Sequence, residues 1–440
     1  MPTSKDEWRF QQVFGDPKGG SEEEEDIISS VEFDATGNFL AIGDRGGRVV
    51  VLERNHKSRR ACEYRVMTEF KSHKAEFDYL KSMEIEEKIN QIRWLKRHND
   101  AHLLLTTNDK TIKLWKVYEK KVKNIQGKNF VNKSGLKKKK KINSMKDIKI
   151  PKIVSSSNTF IEHTPRRIYG NSHAYHINSI SLNSDGETFL SADDLRINIW
   201  HSDVTAQSFT FVDIKPENMD NLTEVITSAC FHPKQCNLIM YSSSKGVIKL
   251  GDLRDSALCN NYAKSFEVEE ESNPTFFSEI IASISDAKFS NCGRYILSRD
   301  YMTLKIWDIN MESKPLKTVN VHESLRSRLC DLYENDCIFD KFECCWSNDA
   351  NNIITGSYKN YFHIFDKNGK KHHCIEASRQ ATQSKRKKKL LRKKKIKDED
   401  ITYDQSDFSK KVLNLTWHPQ ENIIAVAAVN NLFIFANGLN

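Results

Sequence analysis

Catalysis at neutral pH needs a nucleophile, a base, a metal or a phosphate cradle, and few residues of this chain stand at a spacing that any of these uses. Asp193 and Asp194 are adjacent carboxylates, but no opposing acid or base accompanies them, and they fall in a turn between two strand-like runs. The glycines of GDRGG (43–47) look like a phosphate-binding loop, yet they lie between two strands and not ahead of a helix, so a hairpin turn is the expectation. The chain has no GxxxxGKS/T, HExxH or GxSxG. HHC (372–374) lies in a lysine-rich stretch, and His232 and His418 each precede a proline, as turn residues do. The 10 cysteines contain no CxxC pair, and Cys344 and Cys345 are neighbours inside an apparent strand, which makes a zinc site a poor expectation. These residues point to no catalysis, no cofactor and no metal, and to a binding rim instead.

The elements that would carry such a rim repeat seven times. Each unit is an alternating apolar strand, a polar turn, a second strand of small and apolar residues, another turn, and a third strand ending on an aromatic or its substitute. The units are ISSVEFDATGNFLAIGDRGGRVVVLE (28–53), INQIRWLKRHNDAHLLLTTNDKTIKLW (89–115), INSISLNSDGETFLSADDLRINIW (177–200), ITSACFHPKQCNLIMYSSSKGVIKLGD (226–252), ISDAKFSNCGRYILSRDYMTLKIWD (284–308), FECCWSNDANNIITGSYKNYFHIFD (342–366) and VLNLTWHPQENIIAVAAVNNLFIF (412–435). First-strand anchors fall at Phe33, Trp94, Leu182, Phe231, Phe289, Trp346 and Trp417, and third strands end at Leu52, Trp115, Trp200, Gly251, Trp307, Phe365 and Phe435. The interval inside a unit barely varies, while the spacing between units does, as loops allow. Strands rich in Ile, Leu, Val and Phe on both faces, joined by turns such as DATGN, NSDGE and SNCGR, predict an all-β fold, a seven-bladed WD40-type β-propeller. Only Trp307-Asp308 is a literal WD pair, with Phe365-Asp366 a variant. A ring must close or leave two sheet edges bare, and WRFQQVFG (8–15) is expected to supply the outer strand of the last blade. The acidic SEEEED (21–26) then reads as a solvated connector.

Charge divides the chain unevenly. Net charge is +9, but KKKKK (137–141) carries five positive charges and SKRKKKLLRKKKIK (384–397) ten; without those fifteen, +9 becomes −6. An acidic body with two basic appendages is expected, the appendages being solvated insertions before they are an import signal or a nucleic-acid footprint. The longest apolar run, IIAVAAV (423–429), is too short for a transmembrane helix, so no membrane partner is expected. MPTSKDEWRF lacks the apolar stretch of a secretory signal, so reduced thiols in cytoplasm or nucleus are expected.

Three stretches fall outside the repeats: 54–88, 116–170 as a hairpin arm or insertion within blade 2, and 367–411 as a lysine-rich insertion before blade 7, all within one 1–440 propeller. The first contains FDYLKSMEIEEK, whose glutamates and lysines alternate with apolar residues in a helix-tolerant way. Tyr79, Leu80, Met83 and Ile85 are expected to fasten it to the propeller, leaving Glu84 and Glu86 to face a partner.

EFDYLKSMEIEEKIN (76–90) and NSHAYHINSISLNSD (171–185) resemble the two signature stretches of the 55-kilodalton B-family regulatory subunits of protein phosphatase 2A. The resemblance continues through SADDLRINIWH (191–201), DIKPENMDNLTEVIT (213–227), YSSSKGVIKL (241–250), FFSEIIASISD (276–286), LYENDCIFDKFECCW (332–346) and WHPQENIIAVAAVNNLFIF (417–435), and leaves out only the two basic insertions. It implies a propeller that performs no chemistry, docks on a helical-repeat scaffold subunit, contacts the catalytic subunit, and recruits phosphoserine and phosphothreonine substrates with basic segments. It further implies an acidic and apolar substrate face, matched here by Glu84, Glu86, Tyr175, His176, Asp194, Asp220, Leu222 and Val225, with Phe277, Tyr333, Phe339 and Lys341 continuing that surface. A blade-2 arm on the scaffold corresponds to about 118–168, where this chain departs by being lysine-rich. Two other readings are a generic WD-repeat adaptor, which should lack both signatures, and an RNA-associated propeller using the basic loops; nucleic acid is the weaker partner.

Overall fold

The computed structural model describes residues 8–15, 23–57, 62–79, 81–97, 99–126, 150–256, 258–259, 262–268, 275–378 and 408–438. Both lysine runs, Leu80 and the first two residues of SEEEED lie outside them.

Strands that are apolar on alternate or both faces pair into seven four-stranded antiparallel sheets. Blade 1 runs Ile28–Phe33, Phe39–Asp44, Arg48–Arg54 and Tyr64–Lys71; blade 2 runs Gln91–Trp94, His102–Thr107, Ile112–Gln126 and Lys152–Tyr169. Blade 3 comprises Ser179–Leu182, Thr188–Ala192, Arg196–His201 and Ser208–Asp213; blade 4 comprises Ile226–Phe231, Leu238–Ser243, Ile248–Asp252 and Lys264–Phe266. Blade 5 is Asp286–Phe289, Tyr295–Arg299, Thr303–Asp308 and Lys317–Asn320, and blade 6 is Cys344–Trp346, Asn352–Gly356, Tyr361–Asp366 and His372–Glu376. Blade 7 takes Leu415–Trp417, Ile423–Ala428 and Asn431–Asn437 from one end of the chain and Trp8–Phe14 from the other. The expected seven-bladed propeller and its N-terminal closing strand are both present.

Blades 1 to 6 each have a fourth strand that the repeat pattern does not reveal. Residues 54–88 hold the outer strand of blade 1, and 367–411 begin with that of blade 6, so neither stretch is wholly insertion. HHC (372–374) is part of that blade-6 strand: His372 Nε2 lies 2.9 Å from His363 Nδ1 and its ring stacks on Phe365. The SEEEED segment is also more than a connector. Glu24 pairs with Arg45 and Asp26 with Arg48, and Gly46 N donates to Glu25 O, fixing this segment against the GDRGG hairpin.

Packing is organised between blades, not within them. Leu40 and Leu52 of blade 1 meet Ile434 and Leu432 of blade 7, Ala41 and Val51 meet Ile92 and Leu104 of blade 2, and the same scheme continues around the ring. Indoles pin neighbours together, Trp94 Nε1 donating to Glu32 O at 3.0 Å and Trp346 Nε1 to Lys288 O at 3.2 Å. The two HP histidines are turn residues, as expected. His418 Nδ1 accepts from the backbone N–H of Gln420 and Glu421, and His232 Nδ1 from those of Lys234 and Gln235. Each ring presses on a glycine of the next blade. A Cβ on Gly37 (φ +74°) would stand 1.8 Å from His418 Nε2, and one on Gly293 (φ +81°) 2.3 Å from His232, so both turns require glycine.

The N-terminal strand is seated in blade 7 where Trp8 meets Trp417 edge-on, with ring centroids 5.3 Å apart, and it reaches blade 1 where Gln12 bonds both N–H and C=O of Tyr64 at 2.8 Å. Trp8 is buried, and truncating a buried Trp costs about 3–5 kcal/mol. Trp8→Ala should therefore lower unfolding stability in urea by about 3 kcal/mol. A loss below about 1 kcal/mol would mean that the N-terminal strand does not close the ring.

Candidate functional site

In a blade of four antiparallel strands, the hairpin between strands two and three and the segment entering strand one emerge on the same face. All twelve residues singled out in the sequence belong to one of those two connections. Glu84 and Glu86 precede the first strand of blade 2, Tyr175 and His176 that of blade 3, and Asp220, Leu222 and Val225 that of blade 4. Phe277 precedes blade 5; Tyr333, Phe339 and Lys341 precede blade 6; Asp194 sits in the second hairpin of blade 3. The fold thus assembles them on one face, in three groups.

The first group is a cleft of about 180 Å³ lined by Glu84, Tyr175 and His176 together with Lys81, Met83 and Lys110. FDYLKSMEI forms a small hairpin, Glu76–Asp78 paired with Met83–Ile85, and not a helix. The expectation that Tyr79 and Met83 fasten it is wrong: Tyr79 is 85% exposed and Met83 52%, while Ile85 is half-buried. Polar bonds to the following segment do the fastening. Asn108 Nδ2 donates to Glu86 O at 3.0 Å, Ile89 N donates to Asp44 O at 3.1 Å, and Lys71 stands 3.7 Å from Glu87. Glu84 and Glu86 are exposed, as expected. His176 Nδ1 lies 2.9 Å from Asp109 Oδ2, and the Tyr175 ring lies 5.6 Å from the Lys81 ammonium.

The second group surrounds the two aspartates, which have opposite roles. Asp193 is fully buried and holds the fold. His173 Nδ1 donates to it at 2.9 Å, and the backbone N–H groups of Leu195 and Arg196 donate at 2.8 and 2.7 Å, together holding its carboxyl below the ordinary value against its burial. Trp200 Nε1 and Ser191 Oγ extend the chain on the other side of His173. Asp194 faces the rim, and its backbone O accepts from Ile226 N at 2.8 Å, which ties it to the 218–226 loop. There Asn218 caps Asp220 N, Asp220 is exposed, and Leu222 and Val225 are half-buried; Val225 N donates to Ser244 Oγ at 3.1 Å. Asp194 is half-buried and not the freely solvated charge its hairpin position suggests.

The third group is aromatic. Phe277 meets Tyr333 at 6.0 Å, Tyr333 meets Phe339 at 6.0 Å, and Phe276 meets both Phe277 (5.2 Å) and Tyr333 (5.7 Å). Two short helices, α1 (Phe276–Ala282) and α2 (Leu329–Glu334), carry most of it over a core of Tyr301, Leu325, Phe342 and Tyr358. Phe276, 69% exposed, is a member that the sequence reading does not include, although the FF doublet opening a helix is a usable signal. Lys341 is exposed, and its charge acts on Asp194.

The channel along the propeller axis, about 420 Å³, contains no such display. Its walls carry self-paired charges: Arg93 with Glu32, and Lys288 with Asp286 at 3.1 Å and Glu343 at 3.8 Å. Among the described residues no group of His, Cys, Asp and Glu is arranged to hold a metal ion.

Burial raises the Asp194 carboxyl above its ordinary value, with Lys341, His176 and a hydrogen bond from Asn178 opposing it. The folded chain holds this proton more tightly than the unfolded chain. The stability Asp194 contributes is therefore present below the ordinary carboxylate value and lost as pH rises through the raised one. Asp194→Asn should raise the melting temperature at pH 7 and change it less at pH 4.5; a lower melting temperature at pH 7 would show that the carboxylate is structural.

The model of the WD domain, G-beta repeat, matches residues 164–201. The serine/threonine-protein phosphatase 2A regulatory subunit phr2AB of Dictyostelium discoideum is 52% identical over 98% of both chains. A B-type regulatory subunit of protein phosphatase PP2A from Schizosaccharomyces pombe is 53% identical over 98% of both. The beta isoform of the B-type 55 kDa regulatory subunit from Carassius auratus is 55% identical over 95% of both. With such identity along nearly the whole length, the chain belongs to the 55-kDa B-type regulatory subunits of protein phosphatase 2A, and its role in that phosphatase is regulatory, not catalytic.

Proposed function

We propose that this chain is the non-catalytic member of a heterotrimer, binding the scaffold and catalytic subunits of protein phosphatase 2A and recruiting phosphoserine and phosphothreonine proteins through one face of the propeller. The observation that carries this reading is the gathering of Asp194, Glu84, Glu86 and Asp220 with the aromatic cluster around Tyr333 on a single face. Exposed carboxylates attract a basic segment and speed its encounter; half-buried Leu222 and Val225 and the exposed rings supply the apolar anchors that hold it.

Scaffold binding is assigned to the arm. Beyond Val117 the third strand of blade 2 pairs only with the fourth, and the two run on together to Gln126 and Lys152. Ile153 is 70% exposed, and Val154 and Phe160 are exposed too, although Ile161 between them and the root still packs on the core between blades 1 and 2. Its root, by contrast, is blade: Trp115 pairs with Pro165, and His163 stacks on Phe70 at 4.9 Å.

Two outcomes test these assignments. Joining Lys120 to Phe160, which are cross-strand partners, through a short Gly-Ser turn should leave the melting temperature within a few degrees and weaken scaffold binding. Unchanged scaffold affinity in a titration would remove the arm from the reading. Asp194→Lys with Leu222→Ala inverts a rim charge and removes an anchor, neither lying in an inter-blade core. It should weaken substrate binding by at least ~2 kcal/mol, about thirtyfold, while scaffold co-purification persists. Dephosphorylation of every substrate at the parental rate by the variant trimer would refute the rim assignment.

A further inference from the structure

Within this acidic face, two ammonium groups converge on one carbonyl. Lys81, in the turn of the 76–85 hairpin, and Lys110, in the second hairpin of blade 2, both donate to Ala174 O, which belongs to the segment entering blade 3. One oxygen lies between the two amines, so their charges are no further apart than two hydrogen bonds laid end to end. Among the described residues neither amine has an ion-pair partner. Two of the three carboxylates of the cleft are turned to other groups: Asp109 accepts from Asn90 Nδ2 at 2.8 Å and pairs with His176, and Asp78 accepts from the backbone N–H of Lys81 at 3.2 Å; the third, Glu84, is exposed at the rim and forms no ion pair with either amine among the described residues. Burial, and then the neighbouring Lys81 charge, hold the Lys110 amine below the ordinary lysine value, with Asp78 and Asp109 opposing.

Two ammonium groups held together with no carboxylate in direct contact are relieved by an anion placed between them. Each ammonium carries three N–H donors, and Ala174 O takes one from each, which leaves two on either amine. An oxyanion has several acceptor oxygens and can bridge both. Met83 and the Tyr175 ring form the apolar side of the same cleft, and its size suits one side-chain terminus, not a helix.

We propose that the cleft between Lys81 and Lys110 is an oxyanion subsite of the substrate face, taking one phosphoryl or carboxylate group from the segment bound there. This rests on the recruitment reading above and sharpens it. The preferred ligand is not uniformly basic: it combines a basic stretch, met by the rim carboxylates, with one acidic or phosphorylated residue. Phosphoserine, with more charge and more acceptor oxygens, should fill the subsite better than glutamate.

The test uses the full chain without the phosphatase's catalytic chain, so that phosphoserine persists. The probe is a fluorescein-labelled 16-residue peptide with four lysines in one half. In the other half a serine, a glutamate or a phosphoserine is placed at each of three successive positions, and binding is read by fluorescence anisotropy. At one position at least, phosphoserine should bind about fivefold or more tighter than serine, with glutamate between them. Lys81→Gln with Lys110→Gln should erase that preference while the serine peptide binds at least as tightly as it does to the parent, since two charges that repel its lysines are gone, a readout that misfolding would not give. Equal binding of all three peptides at every position, or a preference that survives the double substitution, overturns the subsite alone. Binding of none of them overturns the recruitment of basic segments, and the subsite with it.

Discussion

A blade cannot bury both of its faces alone. Its strands are apolar on two sides, so each sheet needs a neighbour on either flank, and the requirement ends only when the seventh blade meets the first. That meeting depends on a strand from the far end of the chain: Trp8 seats it on Trp417 inside blade 7, in the core shared with blade 6, and Gln12 bridges to the outer strand of blade 1 through Tyr64. The histidine-on-glycine contacts act between neighbouring blades, His418 reaching Gly37 across the same closure. Every inter-blade core thus depends on the ring being complete.

Closure also determines which segments can share a rim. With four antiparallel strands per blade, the chain returns to the same face before every first strand and at every second hairpin. Segments far apart in sequence, such as 76–87, 172–176, 218–225 and 329–341, are brought around one rim without any of them packing in a core between blades. The charges on the axis show the contrast. Arg93, Glu32, Lys288 and Glu343 neutralise one another inside the channel, whereas the rim leaves Glu84, Glu86 and Asp220 exposed. A charge paired within the ring is committed to the ring; a charge left at the rim remains available to a partner.

The same physics explains what could be read in the sequence. Strands one to three of each blade are buried on both sides, so Phe33, Trp94, Trp200 and Trp307 announce them. The outer strands face solvent, and Lys317–Asn320 and Lys264–Phe266 are short and mixed in polarity, so no periodicity marks them. The twelve residues named from the family resemblance, four in its two signature stretches and eight in the stretches that continue it, are not marked by their own chemistry; what the structure adds is that they share one face. Phe276 and Lys110 escape for opposite reasons: one sits in an FF doublet whose first ring looks redundant, the other in an ordinary NDK turn. Tyr79 and Met83 mislead because apolar residues between charges usually mark the buried side of an element. Here the bonds of Asn108 and Asp44 hold the segment just after the hairpin, Lys81 ties its turn to Ala174 O, and those side chains are left outside.

The ADDLR hairpin shows how closely the two demands are joined. Successive residues in an extended turn point to opposite sides, so one of two adjacent aspartates must face inward and the other outward. Asp193 turns in, receives His173 and two backbone N–H groups, and fixes the geometry of the hairpin. Asp194 turns out, and the rigidity created by its neighbour holds it half-buried at the rim, with its carboxyl raised. A carboxylate left short of water there lacks full solvation in the free protein. A cationic partner supplies the missing interaction at little cost in side-chain freedom. The bond network that makes the blade is therefore what prepares the neighbouring charge for the basic segment proposed to bind there.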